Sequence, residues 1–216
     1  MKVLITGTGQ GIGKATAKLF LSKGFDVIGV DLQESKIEHP NYNHQQCDIS
    51  DCEPFQELDY IIHNAGVQLG EKVIKTNLLD TIQLDTKLRK VNPDIKAITF
   101  NTSISGVHGD EFPEYVASKA GLNGYVKYVA KQLMPNAIAN AVCFGGVITE
   151  LNEPVINDKE LWSQVLSVNP LKRWATAEEA AEWLYFVTVV NKFATGQLFE
   201  VDGGENSCPA STFVWV

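Results

Sequence analysis

Lys2-Val3-Leu4-Ile5-Thr6-Gly7-Thr8-Gly9-Gln10-Gly11-Ile12-Gly13 is the stretch whose reading decides the fold. Lys2 to Thr6 is a short apolar run rich in β-branched residues, the pattern of a strand buried on both faces. It runs into a glycine turn and then a helical pattern from about Ile12 to Lys23, with Ile12, Ala15, Leu19 and Phe20 on one face and Gly24 as the stop. Asp26 to Val30 is the next strand and Asp31 closes it. Strand, glycine turn, helix, strand and acid make a complete βαβ unit of about thirty residues. Glycines let the backbone turn sharply and approach a pyrophosphate with no Cβ in the way, and the helix N-terminus offers that group free N–H donors and the positive end of its dipole. An acid after the second strand accepts hydrogen bonds from an adenosine ribose and repels a 2′-phosphate. A tight turn beside a solvated Asp is the plainer reading, but the strand context and the placement of Asp31 outweigh it.

The remaining chain continues the alternation. Strands are expected at Asn43–Ile49, Asp59–His63, Ile95–Asn101, Ile138–Cys143 and Thr195–Val201. Helices are expected over Val73–Val91, from Tyr115 to about Gln132, and from an N-cap at Thr176, where Glu179 completes a capping box. In the last helix Ala180, Trp183, Leu184, Phe186, Val187 and Val190 are expected to point inward. The fold class is α/β: a doubly wound parallel sheet of about seven strands with helices on both faces, as one domain over residues 1–216.

Composition narrows the function. The chain has 216 residues and a formal net charge of −8, which leaves no basic stripe to collect the phosphates of a nucleic acid. Cys47, Cys52, Cys143 and Cys208 show no metal-ligand spacing, so four inert thiols and no metal are expected. No eighteen-residue apolar stretch or secretory leader pattern is present, and a cytoplasmic location is expected. Tyr115 and Lys119, four residues apart, share a helix face. An ammonium beside a phenol favours phenolate, so the pair is expected to exchange protons below the ordinary tyrosine value of about 10.

The glycine spacing, Thr6-Gly7-x-x-x-Gly11-x-Gly13, resembles the short-chain dehydrogenase/reductase family, and the likeness extends along the chain. Asn64-Ala65-Gly66 matches a family triplet beside the cofactor. Asn77 lies in a helix where relatives carry an Asn whose main-chain carbonyl holds a proton-relay water. Ser103 sits in a Ser-x-x-Gly register before Tyr115, with Ser105 as the alternative. Thr195-Gly196-Gln197 and Val201-Asp202-Gly203-Gly204 match the closing motif.

The resemblance implies catalytic roles for Asn77, Ser103, Tyr115 and Lys119. It implies cofactor contacts at Gly7, Gln10, Gly11, Ile12, Gly13, Asp31, Asp48, Ile49, Asn64, Ala65, Gly66, Tyr115, Lys119, Gly145, Ile148 and Thr149. Phe144 stands where relatives have proline, a departure expected to reshape the nicotinamide pocket or the substrate side. The expected activity is interconversion of an alcohol and a carbonyl with NAD, since Asp31 is followed by Leu32 and Gln33 and Gln10 replaces the basic residue of many NADP users. A 3-oxoacyl-carrier reductase is the alternative, less attractive because acidic carriers dock on basic patches. A non-catalytic dinucleotide sensor is the other. A small alcohol or ketone as substrate and a homodimer or homotetramer complete the expectation. The chain is shorter than most relatives, with the savings between Asp48 and Asn64, where a shortened helix is expected, and between Gly66 and Asn77. Specificity is expected from Val107–Glu114 and a short, irregular Leu151–Asn169. The apolar end Phe213-Val214-Trp215-Val216 is expected to pack on the domain or a partner.

Overall fold

Short strands that are apolar on both faces need cover on both faces, and returning helices supply it. In the computed structural model, which describes residues 1–206 and Cys208, the strands are β1 (Lys2–Thr6), β2 (Asp26–Asp31), β3 (Tyr42–Gln46), β4 (Tyr60–His63), β5 (Ala97–Ser103) and β6 (Ile138–Phe144). The two-residue strands β7 (Val147–Ile148) and β8 (Ala175–Thr176) pair with each other, and β9 (Leu198–Val201) completes the main sheet. That sheet runs in the order β3-β2-β1-β4-β5-β6-β9, and every pairing is parallel. The register sets Leu4 beside Ile28 on one side and Ile61 on the other.

The helices are α1 (Gly11–Ser22), α2 (Thr81–Val91), α3 (Ser105–His108), α4 (Pro113–Leu133), α5 (Glu153–Asn157), α6 (Lys159–Val168) and α7 (Ala177–Tyr185). On one face of the sheet, Leu84 and Leu88 of α2 and Leu122, Val126 and Val129 of α4 pack on Leu4, Ile61 and Ile98. On the other, Ala17 and Phe20 of α1 and Ala180 and Leu184 of α7 pack on Val3, Ile5 and Ile62. Phe20 meets Phe25 and Tyr185 edge to face at 5.0 and 5.1 Å, and burying such a ring contributes roughly 2–3 kcal/mol. This is the expected doubly wound α/β sheet. Its strand order turns outward from β1 and β4, so a crevice opens at the carboxyl ends of those two strands, where ligands of such sheets bind.

Several local expectations are corrected. Strand β3 stops at Gln46, so Cys47, Asp48 and Ile49 form a turn, and among the described residues no helix lies between β3 and β4. Cys47 and Cys52 are joined in a disulfide across that turn instead of standing as free thiols; Cys143 is free and buried. The 73–91 helix is not uniform, because Lys75–Asp80 winds as a π-helix before α2. Leu151–Asn169 is mostly helical, built from a 3₁₀ turn at Glu150–Asn152 followed by α5 and α6. In α7 the capping box is present, but Trp183, Phe186 and Val190 lie outward while Ala180, Leu184 and Val187 face the core. The helix changes pitch to a π turn at Phe186–Val190, which rotates that end of the stripe. Phe213 to Val216 lie outside the described residues.

Candidate active site

The crevice is built first from glycines that nothing else could replace. Gly7 has φ +76, and a Cβ there would come within 2.7 Å of the Asn64 amide; a Cβ on Gly13 would stand 1.9 Å from the Gly7 carbonyl oxygen. Gly7 and Gly13 therefore let β1, the turn and α1 close on each other. Asn64, just past β4, fastens the turn. Its Nδ2 donates to the carbonyls of Thr6 and Gly7 at 2.9 and 3.1 Å, while Thr6 Oγ1 accepts the N–H groups of Asn64 and Ala65, both at 2.9 Å.

Asp31 stands at the end of β2, where its carboxylate accepts the Gly9 N–H at 2.8 Å and the Gln33 N–H at 2.9 Å. The glycine turn and the acid are thereby locked together. Asp48 lies in the Cys47–Cys52 turn, where it accepts the Ser50 N–H at 3.0 Å, and that hydrogen bond holds its carboxyl below the usual aspartate value. Ile49 is buried beneath it. The Cys47 N–H bonds the Asp31 carbonyl, so this turn adjoins the acid. Ile12 packs its side chain on the α1/α7 core.

The residues fit an anionic dinucleotide. Helix α1 has no acid in its own first turn and an extended Gln10 at its N-cap. Glu150, far along the chain, brings a carboxylate oxygen to 3.0 Å from the Gly11 N–H. A carboxylate already resting on this backbone donor shows that the turn accepts anionic oxygen.

The two residues expected to exchange protons, Tyr115 and Lys119, stand at the other end of the crevice. Pro113 starts α4, which carries Tyr115 in its first turn and Lys119 one turn later. The Lys119 ammonium lies 5.6 Å from the centre of the Tyr115 ring. Lys119 Nζ donates to the Asn101 carbonyl at 3.2 Å, and Asn101 Nδ2 donates to Asn64 Oδ1 at 2.7 Å. One line of hydrogen bonds thus connects Lys119 to the glycine turn. Asn77, on the π-helix, clasps the Val67 backbone through both side-chain atoms at 2.8 Å and donates to Ser118 Oγ at 3.1 Å. Gly66 threads between Asn77 and Lys119, where a Cβ would lie 3.1 Å from the Asn77 oxygen and 3.6 Å from the Lys119 nitrogen.

Ser103, the last residue of β5, is the serine that faces the Tyr115 phenol and favours its ionised form. Ser105 begins α3, and its Oγ accepts the Ser103 hydroxyl at 3.0 Å.

The expected low tyrosine value is corrected. Burial pushes the Tyr115 phenol up to about 12, helped by the nearby Glu111 carboxylate and opposed by the Ser103 hydrogen bond. Burial also brings Lys119 down to about 8. Both charges lose water in the same pocket, and at 5.6 Å from the ring the ammonium does not offset that loss.

On the wall formed by β6, Phe144 is buried among Val142, Val147 and Ala180. It fills the core on the α7 side and does not project into the crevice, contrary to the expected reshaping. Gly145 abuts the Asp202 backbone, Ile148 is partly exposed on β7, and the Thr149 methyl closes over Gly11.

Residues 7–206 match the family described as enoyl-(acyl carrier protein) reductase. The chain belongs to the short-chain dehydrogenase/reductase family. Curated relatives of this dehydrogenase/reductase include a 3-oxoacyl-[acyl-carrier-protein] reductase of Buchnera aphidicola, 29% identical over 93% of this chain and 95% of the relative. A short chain dehydrogenase of Penicillium roqueforti is 33% identical over 73% of this chain and 75% of its own. Among solved structures, 4-hydroxyisoleucine dehydrogenase complexed with NADH superposes with a TM-score of 0.84 at 28% identity, covering 95% of this chain and 98% of that one. The protein is an oxidoreductase of the alcohol/carbonyl class, and its family binds a nicotinamide dinucleotide. Among the described residues no helix is long and apolar enough to cross a membrane, and no cluster of three or more His, Cys, Asp or Glu is placed to hold a metal.

Sequence reasoning missed Asn101 and Glu150. For Asn101 a signal existed: the β4–β5 register pairs His63 with Phe100, so the next residues, Asn64 and Asn101, are neighbours at the carboxyl edge. Glu150 gave no local signal, since its partner lies 139 residues away.

Proposed function

We propose that this single domain is an NAD(H)-dependent oxidoreductase that interconverts an alcohol and a carbonyl, with Tyr115 exchanging the substrate-oxygen proton. The observation that carries the reading is the convergence of Ser103, Tyr115 and Lys119 at one end of a crevice whose other end is the glycine turn. The nicotinamide, when bound, supplies or accepts the hydride. In carbonyl reduction Tyr115, neutral at pH 7 with its value near 12, donates its proton to the substrate oxygen. Ser103 hydrogen-bonds that oxygen as negative charge develops on it. Lys119 stabilises the phenolate left behind and holds the nicotinamide ribose. Asn77 fixes the Val67 turn beside Lys119 and completes the route for the returning proton. The adenosine end is held by Asp31, with Asp48 and Ile49 on the adenine side and Gly145, Ile148 and Thr149 towards the nicotinamide.

The choice of NAD over NADP rests on Asp31. Its carboxylate is fixed at the ribose end of the turn by two N–H donors, and a 2′-phosphate placed there would meet like charge. Structures of relatives carry NADH in one case and NADP in another, at 28% and 20% identity. A second reading, reduction of a 3-oxoacyl-carrier thioester, is favoured by the curated reductase relatives. The net charge of −8 opposes docking of an acidic carrier. The proposal includes a cytoplasmic setting and assembly into a homodimer or homotetramer. Gly121 of α4 packs on Leu78 within the chain, whereas the Cβ position of Gly124 has nothing within 4 Å and leaves that face open to a partner.

A panel of small alcohols and ketones and a 3-oxoacyl thioester, read at the nicotinamide absorbance with NADH and NADPH in parallel, tests the reading. Turnover of a small ketone with NADH supports it. Faster turnover with NADPH at equal concentration would sink the cofactor choice, and turnover of the thioester alone would favour the second reading.

A further inference from the structure

The contact between Glu150 and the glycine turn joins a segment exposed along its length to a helix packed on the core. Gly11 stands at the start of α1, which packs on the core, with φ +51 and its N–H aimed at the Glu150 carboxylate 3.0 Å away. Glu150 opens a segment in which every residue through Val168 is at least partly exposed. Helices α5 and α6 thus bury little apolar surface and sit on the body through a few contacts. Asn152 Nδ2 donates to the Val147 carbonyl at 2.8 Å, Lys172 reaches back to the Ser167 carbonyl at 2.8 Å, and Trp162 meets Trp174 edge to face at 5.1 Å. Trp174 in turn stands over Gly146, where a Cβ would lie 2.0 Å from its indole nitrogen. The far end of the segment is therefore anchored by an aromatic stack, and the near end by the Asn152–Val147 hydrogen bond and by one carboxylate on one backbone donor.

We propose that Glu150 is a latch: its carboxylate closes the 150–168 segment onto the glycine turn and competes with the dinucleotide's pyrophosphate for the Gly11 N–H. The inference rests on the dinucleotide-binding reading above. Two anionic groups cannot share one donor at the positive end of α1, so binding of the pyrophosphate requires the carboxylate to leave. Leaving frees a segment with little burial of its own. Dinucleotide affinity and the closure of the segment are then linked, and by reciprocity each weakens the other.

Glu150→Gln keeps the shape and a neutral acceptor, and Glu150→Ala removes the acceptor. A charge-assisted hydrogen bond is roughly twice as strong as a neutral one, so Glu150→Gln should tighten NADH binding about fivefold, and Glu150→Ala at least as much. The dissociation constant is read from nicotinamide fluorescence on the full chain, with no substrate present. A second measurement needs no dinucleotide: the amides of α6 should exchange with deuterium faster in Glu150→Ala than in the wild type, while those of β1 and β5 exchange alike, which also verifies the fold. The proposal requires both results. Wild-type binding with equal or weaker binding by both variants, or unchanged exchange in α6, overturns the latch and leaves the oxidoreductase reading intact. A wild type that binds neither NADH nor NADPH refutes that reading and the latch with it.

Discussion

Replacing Lys119 with methionine removes a charge from a position where water does not reach it. The side chain is buried against Asn101, and burial lowers its value to about 8 from the ordinary 10.5. The unfolded chain therefore holds a proton more tightly than the folded one wherever the pH lies between those values. Folding stability from this group must rise with pH across that window and is lowest below about 8. The gap of 10.5 − 8 = 2.5 pH units, at about 1.36 kcal/mol each, corresponds to roughly 3 kcal/mol of stability withheld at neutral pH. Met carries a similar stem without the charge, though it abandons the Asn101 carbonyl, a constant offset of about 1 kcal/mol or more. The stability difference between Lys119→Met and the wild type should therefore shift in favour of the wild type by about 3 kcal/mol as pH rises from about 7 to above 10. Urea midpoints at four or five pH values, with m-values checked for constancy, give that difference directly. A difference that stays flat over the range would refute the reasoning, because it would show a solvated ammonium of ordinary basicity. Loss of turnover in the same variant would complete the picture of a residue kept for chemistry at the expense of stability.

Tyr115→Phe should lower kcat by at least about a hundredfold while leaving NADH affinity within about threefold, since the ring and its packing remain. Equal turnover would remove Tyr115 from the proton step. Asp31→Ser should narrow any preference for NADH over NADPH by about tenfold, the worth of one charged contact, in parallel kcat/KM measurements; an unchanged ratio would place the discrimination elsewhere. The Cys47–Cys52 disulfide closes a six-residue loop, for which chain entropy gives about 2 kcal/mol. Cys52→Ser should lose about that much in a denaturation curve taken without reductant. Thiol titration of the unfolded wild type should find two reactive groups, whereas four would show the bond absent.

The legible parts of this protein were local or periodic. The turn Gly7–Gly13, the acid Asp31 at the end of β2 and the Tyr115–Lys119 spacing are each set within one βαβ unit or one helical turn, where steric needs act between near neighbours. The alternation of apolar strands with amphipathic helices was enough for the doubly wound sheet, since only two-sided cover can bury such strands. The tertiary structure decided what depends on distant neighbours and on solvent. It set Ser103 towards the phenol with Ser105 hydrogen-bonded behind it, and it turned Trp183 of α7 and Phe186 of the following π turn outward. It joined Cys47 to Cys52 where no helix fills the connection. Reversal of the expected tyrosine shift has the plainest physical reason. Spacing says that an ammonium lies near a phenol, but the sign of the effect depends on how much water both groups lose, and desolvation is a property of the folded interior.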